Sequence, residues 1–150
     1  MAVTANTRRI VRDRADSRCE YCHADERWQF IRFTIDHVVP QSAGGDDEEE
    51  NLALACRNCN ERRGNRSEVV DPKTQTSVSL FNPRRDEWTS HFKWSSDGLR
   101  LIGTTAVGRA TIDLLDINDD RRDGRVLLVR ERDREDGLHP PANDPRESTA

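Results

Sequence analysis

Four cysteines and one Asp-His pair carry the chemistry in this sequence. The cysteines form two Cys-x-x-Cys steps, Cys19 with Cys22 and Cys56 with Cys59. Each step sets two thiolates on one tight turn, and two steps together supply the four soft ligands of a tetrahedral structural zinc. The 33 residues between Cys22 and Cys56 exceed the roughly 15–20 of a simple zinc ribbon, so the intervening segment has room for a working site. A redox Cys-x-x-Cys or four unrelated thiols would be the plainer reading, but one zinc accounts for both pairs together. Arg18 and Arg57 flank the knuckles and would offset the negative charge of four thiolates on the ion. His23 reads as a surface residue, because four cysteines already close the shell.

Asp36 and His37 lie inside this frame, and Asn60 follows the last cysteine. A carboxylate and an amide oxygen are hard ligands that suit Mg²⁺ or Mn²⁺ and leave positions for water and a phosphate. An imidazole is suited near neutral pH to take a proton from that water. Strand alternation turns adjacent residues to opposite faces, so joint action of Asp36 and His37 requires the strand to twist or end there. Singly, each residue has a duller explanation: a surface Asp-His pair, an Asn at a turn or cap, and Arg63 as a solvated helix charge.

The elements that must position these groups are short. Thr7 to Ser17 reads as a helix with Thr7 as N-cap and Ile10, Val11 and Ala15 as a weak apolar stripe. Ile31 to Val39 alternates like a strand and carries Asp36 and His37 near its end. Pro40 to Glu50 holds Pro, Ser, Gly-Gly and five consecutive acids, and reads as an exposed loop. Leu52 to Ala55 is a second short strand or turn. Arg57 to Arg63 is a short helix stopped by Gly64. Downstream, His91 to Ser95 and Leu99 to Thr104 form a hairpin over Ser96-Asp97-Gly98, followed by a helix around Gly108 to Ile117. Val126 to Arg130 is helix or strand, and the charged tail from Glu131 reads as unstructured.

With 150 residues the chain has the length of about one domain, and its apolar fraction of 33% implies a modest core that a bound metal would staple. The net charge of −4 is not that of a simple electrostatic nucleic-acid binder. The distribution says more. Met1 to Arg18 carries five Arg against two Asp, and Arg57 to Arg66 carries four Arg against one Glu. Should both segments meet beside His37, they would form a local phosphate-binding surface; as solvated faces they would have no partner. Paired cysteines without a long apolar stretch indicate a reducing, cytoplasmic setting with no membrane contact.

The motifs CEYC at Cys19–Cys22, IDHVVPQSAGG at Ile35–Gly45, NL at Asn51–Leu52 and CRNCNERR at Cys56–Arg63 together resemble the HNH endonuclease family, in its HNN variant with two Cys-x-x-Cys knuckles. The resemblance covers roughly the first 65 residues. It implies an α+β fold: a small ββα-metal core on a four-cysteine, zinc-stabilised frame, extended C-terminally by a hairpin and a helix. It further implies that His37 is the general base and that Asn51 holds the loop so that the imidazole points correctly. Asp36 and Asn60 would be the catalytic metal ligands, and Arg63 stands where many members carry Lys; Arg62, Arg63 and Arg66 are the phosphate contacts expected from the charge of this helix end. LFNPRRDEW, HFKW and GRATI look like the extension of small bacterial members of this type. Trp88, Phe92, Trp94 and His91 there are expected to pack in the core rather than stack on bases.

The resulting expectation is a core over residues 1–66, an extension over 67–130 that packs on it, and a disordered tail over 131–150. The function expected is hydrolysis of DNA phosphodiesters with structural Zn²⁺ and catalytic Mg²⁺ or Mn²⁺, leaving a 5′-phosphate and a 3′-hydroxyl. The competing reading is a zinc-supported nucleic-acid-binding module without catalysis. A third is a protein-interaction domain whose contact is the acidic run Asp46 to Glu50; the identity of any protein partner is not encoded in a recognisable motif.

Overall fold

Helix α1, Ala5–Arg14, opens at Thr4, whose hydroxyl oxygen accepts from the Thr7 amide at 3.1 Å. The cap therefore lies three residues before the expected Thr7, because Thr4 satisfies an amide that would otherwise begin the helix unpaired. The structure, a computed structural model, describes residues 3–149. Val11 is fully buried under α1, and two of its arginines turn inward rather than toward a ligand. Arg12 Nε donates to Glu26 at 3.1 Å and its Nη2 to Phe33 O at 3.2 Å; Arg14 donates to Glu49 O and Leu52 O at 3.0 and 2.6 Å. Two of the five arginines between Met1 and Arg18 that were expected to face phosphate thus brace the scaffold.

Strands β1, Thr34–His37, and β2, Leu52–Ala55, pair antiparallel with Asp36 opposite Ala53 and His37 opposite Leu52. All four residues of β2 are buried. β1 is shorter than the alternation from Ile31 to Val39 suggests. The Phe33 amide donates to the Glu26 carboxylate at 2.6 Å and the Val39 amide to the Asn51 side chain at 2.8 Å, so side chains replace the ladder at both ends. Ile31 and Val39 are left exposed. The loop between the strands is not irregular: Gln41–Ala43 and Glu49–Asn51 form single 3₁₀ turns. Gly45 is required by contact, since a Cβ there would fall 1.7 Å from Val39 O. Helix α2 spans Arg57–Arg63 and stops at Gly64 as expected from the sequence, with Cys56 as its N-cap. β1, β2 and α2 form the ββα arrangement of an α+β fold.

Two units divide the chain. The first runs to Ser67 and takes in Asn82–Asp86, where Arg84 pairs with Glu20; the second holds Glu68–Phe81 and the chain from Glu87. In the second unit a hairpin absent from the sequence reading joins β3, Glu68–Val70, to β4, Ser77–Ser79. Asp71-Pro72 was its signal: the Asp71 carboxylate accepts from the Lys73 and Thr74 amides and so turns the chain. The expected second hairpin is β5, Phe92–Trp94, with β6, Leu101–Gly103. Helix α3, Ala106–Leu115, follows, and α4, Arg125–Glu135, resolves the helix-or-strand ambiguity and passes the expected boundary at residue 130. A Cβ at Gly108 would meet His91 O at 2.1 Å, so this glycine lets α3 close on the hairpin. Phe92 and Trp94 are fully buried and Trp88 nearly so, in core packing. The tail departs from the disorder expected of its composition. Trp94 donates its amide to Pro145 O at 2.9 Å and its indole N–H to Asp144 at 2.9 Å, and Glu147 N donates to Trp94 O at 2.8 Å. A free strand edge and a buried indole supply the partners that charge-rich composition conceals. None of the described helices is long and apolar enough to cross a membrane.

Candidate metal frame and catalytic site

The two Cys-x-x-Cys steps build knuckles of one design. In the first, the Cys22 amide faces Cys19 Sγ at 3.5 Å; in the second, the Cys59 amide faces Cys56 Sγ at 3.4 Å. An amide aimed at sulfur favours the thiolate. His23, at φ 63°, takes the left-handed turn that closes the first knuckle. All four Sγ atoms lie within 4.8 Å of one another, and Cys22 and Cys56 are 3.8 Å apart. That separation is far beyond a disulfide and matches the edge of a tetrahedron with Zn–S bonds of about 2.3 Å. Burial pushes the Cys19 thiol up, its three neighbours push Cys59 up, and Cys22, which those neighbours hydrogen-bond, is pushed down. Four thiolates this close repel one another unless a cation sits between them, so the cluster, with Cys19, Cys22 and Cys59 buried and Cys56 half-buried, fits a divalent ion. The flanking arginines are otherwise engaged: Arg57 pairs with Glu61 at 2.8 Å and Arg18 lies 3.8 Å from Asp25.

This frame reaches the rest of the site through Tyr21. Tyr21 stands inside the first knuckle, is fully buried, and donates its hydroxyl to Asp36 Oδ2 at 3.0 Å. Arg63 Nη1 donates to the same oxygen at 2.6 Å and to His37 O at 2.9 Å, while Nη2 donates to Val38 O. The sequence reading cast Arg63 as a phosphate contact; here it is 3% exposed and clamps the end of β1. Its Nε is buried without a hydrogen-bond partner. Asp36 is 7% exposed, and burial raises its carboxyl above the ordinary range although Arg63 and Tyr21 draw it back. Burial likewise raises the Tyr21 phenol, and the charge of Asp36 raises it further. Only Oδ2 of Asp36 is hydrogen-bonded among the described residues; Oδ1 is not.

Asn60 sits one turn before Arg63 on α2, and residues three apart share a helix face. Asn60 is thus on the side from which Arg63 reaches Asp36, although its own side chain makes no hydrogen bond to Asp36. An amide oxygen and the open carboxylate oxygen are the hard donors that suit Mg²⁺ or Mn²⁺. Arg62 donates to Asn58 at 3.0 Å, and Arg66 is exposed beyond the helix.

His37 ends β1, which meets the requirement that the strand stop at this pair. Its Nε2 lies 2.7 Å from Asp47 Oδ1, and the imidazole holds that carboxyl below its ordinary range. Asn51 locks the loop that carries Asp47: it accepts from the Val39 amide at 2.8 Å and donates to Val39 O and Asp46 O at 3.1 and 2.9 Å. Tyr21 and Asp47 were missed in the sequence. Tyr21 is masked by the motif that contains it, and Asp47 by four acidic neighbours that differ from it only in position.

Residues 19–66 match the family model described as HNH endonuclease. No curated protein and no solved structure matches the chain.

Proposed function

We propose that the chain is a metal-dependent endonuclease that hydrolyses DNA phosphodiesters. The observation that carries this reading is His37 at the end of β1, one residue from a buried carboxylate with an open oxygen and held over a loop that Asn51 locks with three hydrogen bonds. His37 takes the proton of the attacking water, and Asn51 orients it by fixing the loop. Asp36 and Asn60 would hold one Mg²⁺ or Mn²⁺, which when bound supplies stabilisation of charge on the phosphate oxygens. Arg63 keeps Asp36 in place and contributes fixed positive charge. Arg62 and Arg66, at and beyond the end of α2, contact phosphates. The four cysteines hold Zn²⁺ as a structural ion.

The test is nicking of supercoiled plasmid by the full chain with Mg²⁺ or Mn²⁺. Wild type is expected to nick, and both His37→Ala and EDTA to abolish it. Equal behaviour of wild type and His37→Ala would overturn the reading.

One observation favours a second reading, a zinc-supported nucleic-acid-binding module without catalysis. The Asp36–Arg63 pair places an internal cation on the carboxylate that a metal would use. That reading expects DNA binding indifferent to added Mg²⁺ and no nicking at any metal concentration.

A further inference from the structure

Of the five consecutive acids, Asp47 alone reaches His37. Its Oδ1 lies 2.7 Å from Nε2 and also accepts from Gln41 Nε2 at 3.2 Å. Both side chains of the pair are 21% exposed, so the contact is largely shielded from water. The backbone on either side is fixed: Asn51 Nδ2 donates to Asp46 O, and the Glu48 amide donates to Asp46 Oδ1 at 3.1 Å. Asp47 is therefore presented to the imidazole by a preorganised turn rather than by a mobile side chain.

A neutral imidazole has one N–H and one lone pair, and a carboxylate only accepts. Nε2 must then carry the hydrogen in this contact. Nδ1, which makes no hydrogen bond among the described residues, is left with the lone pair.

Resting on the nuclease reading above, we infer that Asp47 is a positioning residue that fixes the tautomer of His37 and makes Nδ1 the nitrogen that takes the water proton. In the step, a water O–H bond breaks and its proton passes to Nδ1. The water oxygen forms a bond to phosphorus as the bond from phosphorus to the 3′ oxygen breaks, and the departing oxygen is protonated from solvent. His37 becomes an imidazolium with both nitrogens protonated, and the Asp47 carboxylate stabilises it through the Nε2–H bond. Among the described residues no other carboxylate is hydrogen-bonded to the ring.

Two measurements test this on the full-length chain. In ¹⁵N-labelled protein in mildly alkaline buffer, long-range proton–nitrogen correlations of His37 are expected to show Nε2 protonated and Nδ1 not; the reverse tautomer would overturn the inference. In plasmid nicking with Mn²⁺, Asp47→Asn is expected to lower kcat about 10–100-fold with little change in KM, as for the loss of an orienting partner. Asp47→Glu should recover part of that loss. Glu50→Gln removes the same charge from an exposed site with no contact to His37 and is expected to match wild type. Asp47→Asn nicking as fast as Glu50→Gln, or faster than wild type, would overturn the inference. Failure of wild type to nick at all would remove the nuclease reading and the catalytic role together, while the tautomer would still decide whether Asp47 governs the ring.

Discussion

Two buried aspartates, one in each unit, are paired with arginine and satisfied to very different degrees. Asp71 is fully buried, yet both oxygens are filled: Arg109 grips them as a fork at 3.1 and 2.9 Å, and Thr74 donates its hydroxyl at 2.7 Å. These bonds, Arg109 first, hold its carboxyl well below the usual range. Asp36 is almost as buried, but Tyr21 and Arg63 crowd onto one oxygen, the other is open, and its carboxyl is raised by burial. A carboxylate with only a structural task ends with its acceptors saturated. One left with desolvation uncompensated and an oxygen to spare is the kind found where charge has still to be bound.

The difference should appear first in the metal frame, because Asp36 depends on it through Tyr21 and Asp71 does not. Metal analysis should find about one tightly held zinc per chain, and Cys56→Ser should lose it together with the cooperative unfolding of the first unit. The effect is expected to be the largest here, since apparent binding of a structural zinc is worth about 10–16 kcal/mol. A Cys56→Ser protein that keeps its zinc and its unfolding transition would break the argument at its base.

Next in size is Arg63→Met, which leaves Asp36 buried without its cation. Removing one partner of a buried pair costs about 3–5 kcal/mol, measurable as a fall in denaturant midpoint. Asp71→Asn should lower the thermal midpoint by less, because the one remaining side-chain oxygen can still accept from the Thr74 amide and hydroxyl. Its pH signature sharpens the contrast. A carboxyl depressed in the fold adds stability above its unfolded value of about 3.9 and loses it as pH falls toward the folded value. Wild type should therefore weaken below about pH 4, and Asp71→Asn should flatten that acid limb. The smallest effect is at the exposed Arg57–Glu61 pair, where Glu61→Gln should leave the unfolding midpoint at its wild-type value.

The sequence reveals these two regions unequally. The cysteine spacing, β2, α2 with its Gly64 stop, and the β5–β6 hairpin follow from local rules of ligand geometry, turn chemistry and alternation. The placement of Asp36 and His37 at the end of a strand and of Asn51 after the loop is legible because motif and spacing coincide. What stays hidden depends on distant partners: Arg63 turned inward to Asp36, Asp47 to His37, and Arg12 and Arg14 to backbone carbonyls. Charge in a sequence carries no direction, so a brace and a phosphate contact read alike until the fold decides. The β3–β4 hairpin and the ordered tail were concealed for a related reason, since Asp71 and Asp144 look like solvated charges and are instead hydrogen-bonding anchors.

The most direct test of the contrast is plasmid nicking in Mn²⁺ by Asp36→Asn and Asp71→Asn side by side, each at a temperature where circular dichroism shows it folded. Asp36→Asn should lose about 10²–10³-fold in rate, as expected for removing an electrostatic stabiliser of the reaction, while Asp71→Asn keeps the wild-type rate. Equal rates for the two variants would contradict the assignment of Asp36 to the working site.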